Sequence, residues 1–259
     1  FLFRGTFARL TRLLSQTDAD RGRFLQSWSP PGRVEVSGNM KYDAAEGGEP
    51  PANARALVQA LQAWKGSGFL WVAGSTHQEE EAMLLEIHAR LREKHPSLRL
   101  VLVPRHPERF ERVAGLLSAR GVAHQKRGGL GGSPAFDPGA EVLLWDTLGE
   151  LPFLYPAADA AFVGGSLVPV GGHNLLEPAA QGVPVLWGPH AFQFREIARD
   201  LAGSGGGVQV ADAGDLEAAL GRWVGDPGLA PQAGGKARAF VQSQRGAAAR
   251  TAQTILKLL

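Results

Sequence analysis

DAAFVGGSLVPVGGHNLLEPAAQGVPVLWGPH, residues 159–190, is the stretch of the sequence that decides the fold. Its first apolar run, 160–163, predicts a buried strand because it is short and ends at a glycine pair. An apolar, alanine-rich segment at 175–180 follows a second glycine pair and predicts a helix. Another short apolar run at 183–187 ends before a Gly-Pro pair, which is typical of a strand. The stretch therefore predicts a strand, a glycine loop, a helix and a second strand.

A unit of this kind belongs to a parallel sheet, in which ligands bind beyond the carboxyl ends of the strands. Glycines let the backbone approach a ligand, and a helix start offers unpaired N–H groups to an anion. Asn174 and Glu177 stand three residues apart near this helix start, so both side chains can share one face. A nucleotide fits, since amides bind phosphate and a carboxylate binds ribose hydroxyls. The spacing fits a capping box equally well, with Asn174 as the N-cap and Glu177 reaching back to its amide.

Strand and helix patterns alternate from residue 53 onward, which predicts a doubly wound α/β domain. The segment 44–54 is rich in Gly, Pro, Glu and Ala, which favours a linker. The predicted strands lie at 34–36, 69–73, 98–103, 141–145, 160–163, 183–187 and 208–210. The predicted helices lie at 54–64, 78–95, 107–120, 148–157, 175–180, 193–202, 213–223 and 235–259, and 126–140 is predicted to be irregular.

The composition bounds the size of the core and excludes several classes of site. With 259 residues, 44% of them hydrophobic, the chain can bury one substantial core, or one domain and part of another. A formal net charge of +2 gives no support to a nucleic-acid partner. The absence of cysteine excludes disulfides and thiolate metal sites, and His173 and His190 are predicted to be structural hydrogen-bonding residues. No segment reaches the roughly 18 apolar residues that span a bilayer.

Polar residues follow two further predicted strands. Gly74 and Ser75 come between a strand and a helix with early glutamates, so their backbone could face an anion. Capping of that helix by Ser75 or Thr76 uses the same groups and is the competing prediction. Arg105 leaves the sheet at the same edge, where its guanidinium can bind a phosphate through two hydrogen bonds.

Residues 148–150 follow another predicted strand. Gly149 would permit the close approach of a base, and Glu150 could accept a hydrogen bond from a base amino group or a nearby amide. A helix start capped by Asp146 or Thr147 fits these residues equally well. The residues alone leave both interpretations open.

Four segments of the sequence together resemble one family. They are GNMKYD at 38–43, PRHPERF at 104–110, WDTLGEL at 145–151 and FVGGSLVPVGGHNLLEPAAQGVPVLWGPH at 162–190. In this order they resemble the motifs GNLKFD, PRHPERF and GDTMGEL and the nucleotide-binding region of the 3-deoxy-D-manno-octulosonic acid (Kdo) transferases. These glycosyltransferases load Kdo from CMP-Kdo onto lipid A. The resemblance covers nearly the whole chain but only the second half of the family's usual length.

The resemblance implies a GT-B fold, in which two Rossmann-like domains face a cleft. Residues 1–43 would be the end of the amino-terminal acceptor domain. Residues 44–259 would be the Rossmann-like, nucleotide-sugar-binding domain with a carboxyl-terminal crossover helix. The implied reaction is an inverting transfer of Kdo with CMP as the leaving group. In the family the general base is a glutamate of the amino-terminal domain whose motif this chain lacks, so the catalytic residue is expected outside this chain, which would be inactive alone.

The matching motifs also assign binding residues. The implied CMP contacts are Pro104, Arg105, Leu148, Gly149, Glu150, Asn174, Leu175, Leu176 and Glu177. Further contacts with the donor are expected at Lys41, Gly74, Ser75, Gly165, Ser166 and Gly172. No cofactor and no metal is expected, since GT-B enzymes generally need none. The chain departs from the family's usual pattern at Tyr42, at Trp145, where glycine is common, and at Val170, where a polar residue is common.

The implied partners are CMP-Kdo as donor and lipid A as acceptor, the latter through the amino-terminal half. The implied location is the cytoplasmic face of the inner membrane, peripheral or anchored through an amino-terminal segment absent from this sequence. Two alternatives stay open: another GT-B enzyme that uses a different nucleotide sugar, and a non-catalytic nucleotide-binding module. A preference for uridine over cytidine would indicate the first. CMP affinity without turnover, even when the amino-terminal half is supplied, would indicate the second.

Overall fold

The computed structural model describes residues 4–26, 30–46, 54–130 and 135–258. The chain divides into two compact units, a smaller one made of Phe1–Glu46 with Val241–Leu259 and a larger one made of Gly47–Phe240. The assignment of residues 1–43 and 44–259 to an acceptor and a donor domain stays a prediction. Residues 47–53 of the predicted linker and 131–134 of the predicted irregular segment lie outside the described residues.

Strands and helices alternate along most of the chain. The described strands are β1 Leu13–Ser15, β2 Val34–Val36, β3 Leu70–Thr76, β4 Arg99–Pro104, β5 His124–Lys126, β6 Val142–Leu144, β7 Ala160–Val163, β8 Val185–Trp187 and β9 Gly207–Gln209. The described α-helices are α1 Arg4–Arg9, α2 Asp18–Gln26, α3 Ala54–Lys65, α4 Glu80–Lys94, α5 Phe110–Ala119, α6 Leu176–Ala180, α7 Arg195–Ser204, α8 Ala213–Gly225, α9 Leu229–Ser243 and α10 Ala247–Leu256. Among these residues, no helix combines the length and the apolar composition that a membrane crossing requires.

The larger unit is built on one sheet of seven parallel strands in the order β5-β6-β4-β3-β7-β8-β9. This sheet confirms the predicted doubly wound α/β class. The chain runs outward from β3 on one side and returns to place β7 on its other side, so β3 and β7 flank the point where the strand order reverses. Ligands of such sheets bind beyond the carboxyl ends of the strands at this point.

The sheet is covered on both faces, which explains why its strands are short continuous apolar runs. Trp71 and Ala73 of β3 belong to one core cluster, with Phe162 of β7. Leu70 and Val72 alternate with them and belong to the cluster on the opposite face. All of these side chains are fully buried. The sheet is therefore a rigid platform for the loops at its carboxyl edge.

Strand β3 extends three residues beyond its predicted end, and the prediction that Ser75 or Thr76 caps the next helix is wrong. The backbone of these positions is held by neighbouring strands: Gly164 N–H donates to Gly74 O at 2.8 Å, and Arg105 N–H donates to Thr76 O at 2.9 Å. These bonds between distant parts of the chain prolong the strand, and α4 starts only at Glu80.

Two predicted helices differ from the structure because proline and glycine interrupt them. The segment predicted as a helix at 148–157 forms two 3₁₀ turns, Leu151–Phe153 and Tyr155–Ala157, each with a proline at its second position. The predicted terminal helix divides into α9 and α10, with Gly246 at φ 98° between them. Only glycine adopts such a conformation readily, so the interruption is encoded at that residue.

The smaller unit contains a two-stranded parallel sheet, in which Leu13 of β1 pairs with Val34 of β2. Asp43 caps α10, since its carboxylate accepts hydrogen bonds from the N–H groups of Gly246 at 2.7 Å and Ala248 at 3.0 Å. These backbone hydrogen bonds lower the pKa of Asp43. Lys41 lies in the turn before Asp43, so the expected donor contact of Lys41 concerns this smaller unit.

Candidate functional site

A pocket of about 300 Å³ lies in the larger unit, at the carboxyl ends of β3, β4 and β7. The loop after β6 completes its wall. The predicted binding residues in its lining are Ser75, Pro104, Arg105, Leu148, Gly149, Asn174 and Glu177. Segments that are far apart in the sequence thus meet at the edge of the sheet where a ligand was predicted.

Arg105 brings a positive charge to the pocket. It directly follows β4, and its backbone N–H is bound to the end of β3, so the position of its Cα is fixed. Its side chain is exposed and has no ion-pair partner among the described residues. The guanidinium is therefore available to an anionic group of a ligand.

Asn174 and Glu177 are joined side chain to side chain rather than as a capping box. Asn174 Nδ2 donates to Glu177 Oε1 at 3.1 Å, and Asn174 Oδ1 accepts from the N–H of Leu176 at 3.1 Å. Asn174 thus accepts from one N–H group at the start of α6, but the N-cap residue is Leu175, so the predicted capping box with Asn174 as N-cap does not form. Glu177 does not reach back to the backbone and stays in the pocket wall. Burial raises the pKa of Glu177, and the hydrogen bond from Asn174 opposes this.

Leu175 and Leu176 do not bring their side chains into the pocket. Both are buried, with relative exposures of 1% and 0%. Their apolar side chains anchor α6 to the core, which fixes the position of Asn174 and Glu177 on either side. The CMP contact of these two residues stays a prediction, and it would have to come from their backbone.

Glu150 is turned into the protein instead of lining the pocket. Its carboxylate accepts hydrogen bonds from Trp145 Nε1 at 2.9 Å, Thr147 Oγ1 at 2.5 Å and Arg127 Nη2 at 3.1 Å. Its neighbours Leu148 and Gly149 remain in the pocket lining. Trp145, which departs from the family's usual glycine, is thus one of the groups that hold Glu150.

The N–H groups of the glycine loop after β7 bind a carboxylate of the protein itself. Glu80 accepts hydrogen bonds from Gly165 N–H at 2.8 Å, Ser166 N–H at 3.0 Å, Leu167 N–H at 3.0 Å and His77 N–H at 2.9 Å. Burial raises the pKa of Glu80, and the four backbone donors oppose this. The backbone N–H groups of Gly165 and Ser166, predicted to contact the donor, are therefore already engaged.

The other predicted donor contacts have structural partners too. Gly172 N–H donates to Gly165 O at 2.8 Å, so it closes the glycine loop on itself. Ser166 is fully buried, and its Oγ accepts from Gly188 N–H at 2.9 Å. A Cβ at Gly74 would lie 2.7 Å from Tyr155 Oη, which shows how closely the pocket floor is packed. Of the expected donor contacts in this unit, Ser75 is the one that lines the pocket.

His77 and His173 form a pair beside the pocket. Their Nε2 atoms are 2.8 Å apart and their ring planes lie within 7° of each other. Burial, together with neighbouring cationic groups, lowers the pKa of His77 and lowers that of His173 to about 4. At neutral pH both rings are uncharged, and one ring donates to the other. Sequence reasoning treated His173 as structural and missed His77, whose partner lies ninety-six positions away.

Tyr155 was also missed and lines the pocket. It is 1% exposed, and burial, with a smaller contribution from Glu177, raises the pKa of its hydroxyl well above the usual value. The phenol is therefore neutral and able to donate a hydrogen bond. Within the described residues, no group of three or more His, Asp or Glu side chains is arranged to hold a metal ion.

Comparison with known proteins places these features in context. No family model matches the chain. The chain is 38% identical over 254 residues to a 3-deoxy-D-manno-octulosonic acid transferase of Bordetella pertussis, which covers 96% of this chain and 56% of that protein. A homologue of the same name from Haemophilus influenzae is 37% identical over 215 residues, 83% of this chain and 49% of that protein. The chain thus spans about half the length of the curated relatives it matches.

A solved structure of a single domain is also similar. It is the crystal structure of the C-terminal CMP-Kdo binding domain of WaaA from Acinetobacter baumannii, with 30% sequence identity and a TM-score of 0.67. The match covers 74% of this chain and 98% of that domain.

Proposed function

Because this chain belongs to the family of the 3-deoxy-D-manno-octulosonic acid (Kdo) transferases, we propose that its larger unit binds the nucleotide sugar CMP-Kdo. The sheet has the Rossmann-like form of a GT-B glycosyltransferase domain. The related domain from Acinetobacter baumannii is a CMP-Kdo binding domain. Its match to this chain covers 98% of that domain.

The observation that carries the proposal is the convergence of Arg105, Leu148 and Glu177 on one pocket at the switch point of the sheet. Arg105 would bind the phosphate of CMP through charge-assisted hydrogen bonds. Glu177, held by Asn174, would accept hydrogen bonds from the ribose hydroxyls. Leu148 is 63% exposed and would pack on the cytosine ring.

The reaction that this site would serve is the transfer of Kdo to lipid A with inversion of configuration. The acceptor hydroxyl attacks the anomeric carbon of Kdo, and the bond from that carbon to the phosphate oxygen breaks. The electron pair of this bond leaves with CMP, and Arg105 stabilises the charge that develops on the phosphate. The hydroxyl proton passes to a general base, which we place in the amino-terminal half of the family's proteins. We place the surface that binds lipid A and the attachment to the inner membrane in the same half.

The proposal is tested by calorimetric titration of the whole chain with CMP and with UMP. We expect CMP to bind more tightly than UMP. We expect Arg105→Ala to weaken CMP binding by about tenfold or more, because it removes a charge-assisted hydrogen bond. Glu177→Ala is expected to weaken CMP binding as well.

Two matched variants serve as controls. Arg238→Ala removes an exposed arginine that lies near Gly182. Gly182 comes just before β8, so this arginine lies at the edge of the sheet opposite to the pocket. Glu93→Ala removes an exposed glutamate at the far end of α4. Both should leave CMP affinity unchanged. Equal binding of CMP and UMP that neither Arg105→Ala nor Glu177→Ala alters would overturn the assignment of the pocket.

A further inference from the structure

The hydrogen bond between His77 and His173 restricts the chemistry of the pocket. Both Nε2 atoms take part in it, at 2.8 Å, and the nearly coplanar rings point these atoms at each other. A neutral imidazole has one N–H group and one acceptor nitrogen. The pair therefore has two neutral arrangements, in which either His77 or His173 donates.

These two arrangements differ at Nδ1 of His173. This atom has no hydrogen-bond partner among the described residues, and His173 lines the pocket. If His77 donates, His173 carries its proton on Nδ1 and offers an N–H group to a ligand. If His173 donates, its Nδ1 is a lone pair that repels an anionic oxygen. The direction of one buried hydrogen bond thus decides whether His173 attracts or repels a phosphate.

The charged and titratable groups around the pair come from two elements. Arg105, His106 and Arg109 follow β4, and the His106 ring centroid is 5.2 Å from that of His77. Arg109 is paired with Glu81 at 2.9 Å. The carboxylate of Glu80 binds the backbone N–H of His77, but three further backbone N–H groups also donate to it. Among the residues that the structure describes, the unpaired charge near the pair is therefore that of Arg105, which favours an anionic ligand.

We propose that His77 is a positioning residue: it donates its Nε2–H to Nε2 of His173 and thereby holds His173 in the Nδ1–H form, which donates a hydrogen bond to a phosphate oxygen of the bound nucleotide. This inference rests on the proposed function, since the phosphate belongs to CMP. Gly165 makes the pairing possible, because a Cβ at this position would lie 3.2 Å from both rings. At φ 65°, this glycine also occupies a left-handed conformation that other residues rarely adopt.

The test compares two substitutions of His77 in the whole chain, with CMP and cytidine as probes. His77→Gln keeps a side-chain N–H donor, whereas His77→Leu removes it. We expect His77→Leu to weaken CMP binding by about tenfold and His77→Gln to stay within about threefold of the unsubstituted protein. Cytidine has no phosphate, so its affinity should be the same in all three proteins. Thermal unfolding shows whether each variant is folded.

Nitrogen-15 NMR of the histidine rings provides a readout that a merely structural role would not move. In the CMP complex, His173 should have a protonated Nδ1 and an unprotonated Nε2. This measurement needs no substitution of His77. It therefore shows which nitrogen of His173 carries the proton even if the His77→Leu variant does not fold.

Three results would overturn the inference: the opposite tautomer in the complex, a His77→Gln variant as weak as His77→Leu, or an equal loss of cytidine affinity. Failure of the proposed function looks different, because the unsubstituted protein would then not prefer CMP. If the proposed function fails in this way, the role of His77 in binding a phosphate is ruled out as well. Tight CMP binding combined with any of the three results removes only the role of His77.

Discussion

At the scale of single residues, Glu80 determines the conformation of the glycine loop. Its carboxylate is 0% exposed and collects the N–H groups of three consecutive residues, 165–167, together with that of His77. A buried N–H group without an acceptor costs about 1–3 kcal/mol. One side chain therefore satisfies four donors that no other described element reaches.

Replacing this residue should destabilise the protein strongly. We expect Glu80→Ala to lower the free energy of unfolding by about 3 kcal/mol or more, because it leaves several buried N–H groups without an acceptor. Urea unfolding of the variant measures this. Glu93→Ala, on the exposed surface of the same helix, is the control and should change stability by less than about 0.5 kcal/mol. A similar small change in both variants would contradict the role of Glu80.

The roles of Glu80 and His77 could not be predicted from the sequence, and the reason is physical. Both act on partners eighty-five or more positions away, Gly165 and His173. Local patterns predict what a residue does for its own helix or loop, and the early glutamates of α4 fit a favourable charge at a helix start. The positions of Arg105 and Glu177 in the pocket lining were predictable, because Arg105 follows a strand and Glu177 lies at a helix start. Their contact with a ligand stays a prediction. Tyr155 carried no such local signal.

At the scale of elements, the site depends on how closely β3 and β7 approach at their carboxyl ends. A Cβ at Gly164 would lie 2.5 Å from Ser75 O and 2.7 Å from Thr76 Cα. Both neighbours are backbone atoms of β3, which cannot move aside without shifting the strand. Gly164 is therefore required by the spacing between two strands rather than by a turn. The sequence predicted that the strand ends at residue 163 and that a glycine loop follows, and both predictions are correct. It did not show that Gly164 lies against the backbone of β3.

Gly164→Ala should separate the two strands and disturb the pocket. We expect a loss of about 1–3 kcal/mol in the free energy of unfolding, as for overpacked cores, and weaker CMP binding because Ser75 moves with β3. Gly203→Ala is the matched control, since Gly203 lies in α7 with open space around its Cβ position. That change should be neutral or stabilising by up to about 1 kcal/mol. A stable Gly164→Ala protein with unchanged CMP affinity would contradict the expectation.

At the scale of the whole molecule, a buried histidine links stability to pH. His88 is 2% exposed, and its Nδ1 accepts a hydrogen bond from Trp71 Nε1 at 3.2 Å. Burial lowers the pKa of His88 to about 3. Its unfolded pKa is about 6.5, so between these values the unfolded chain binds more protons than the folded one. Stability should therefore fall as the pH falls from about 6.5 towards 3.

Urea unfolding at a series of pH values, followed by tryptophan fluorescence, checks this dependence. His88→Gln keeps an acceptor for Trp71 but does not titrate. We expect the free energy of unfolding of this variant to fall less steeply as the pH is lowered. The difference between the two slopes should be up to about 1.4 kcal/mol per pH unit, which is the contribution of one proton. Identical slopes in both proteins would show that His88 does not stay neutral in the folded state.

The order of the strands has a consequence for synthesis of the protein. Strand β3 lies between β4 and β7, and Trp71 pairs with Ala160. While a ribosome makes the chain, β3 and β4 can pair early, but the other edge of β3 stays open until β7 has emerged. Open strand edges invite pairing with other chains. The interval between the synthesis of β3 and β7 is thus a period in which the open edge of β3 exposes nascent chains to misassembly. The pocket forms only after this interval, because its wall includes His173, Asn174 and Glu177, which are made after β7.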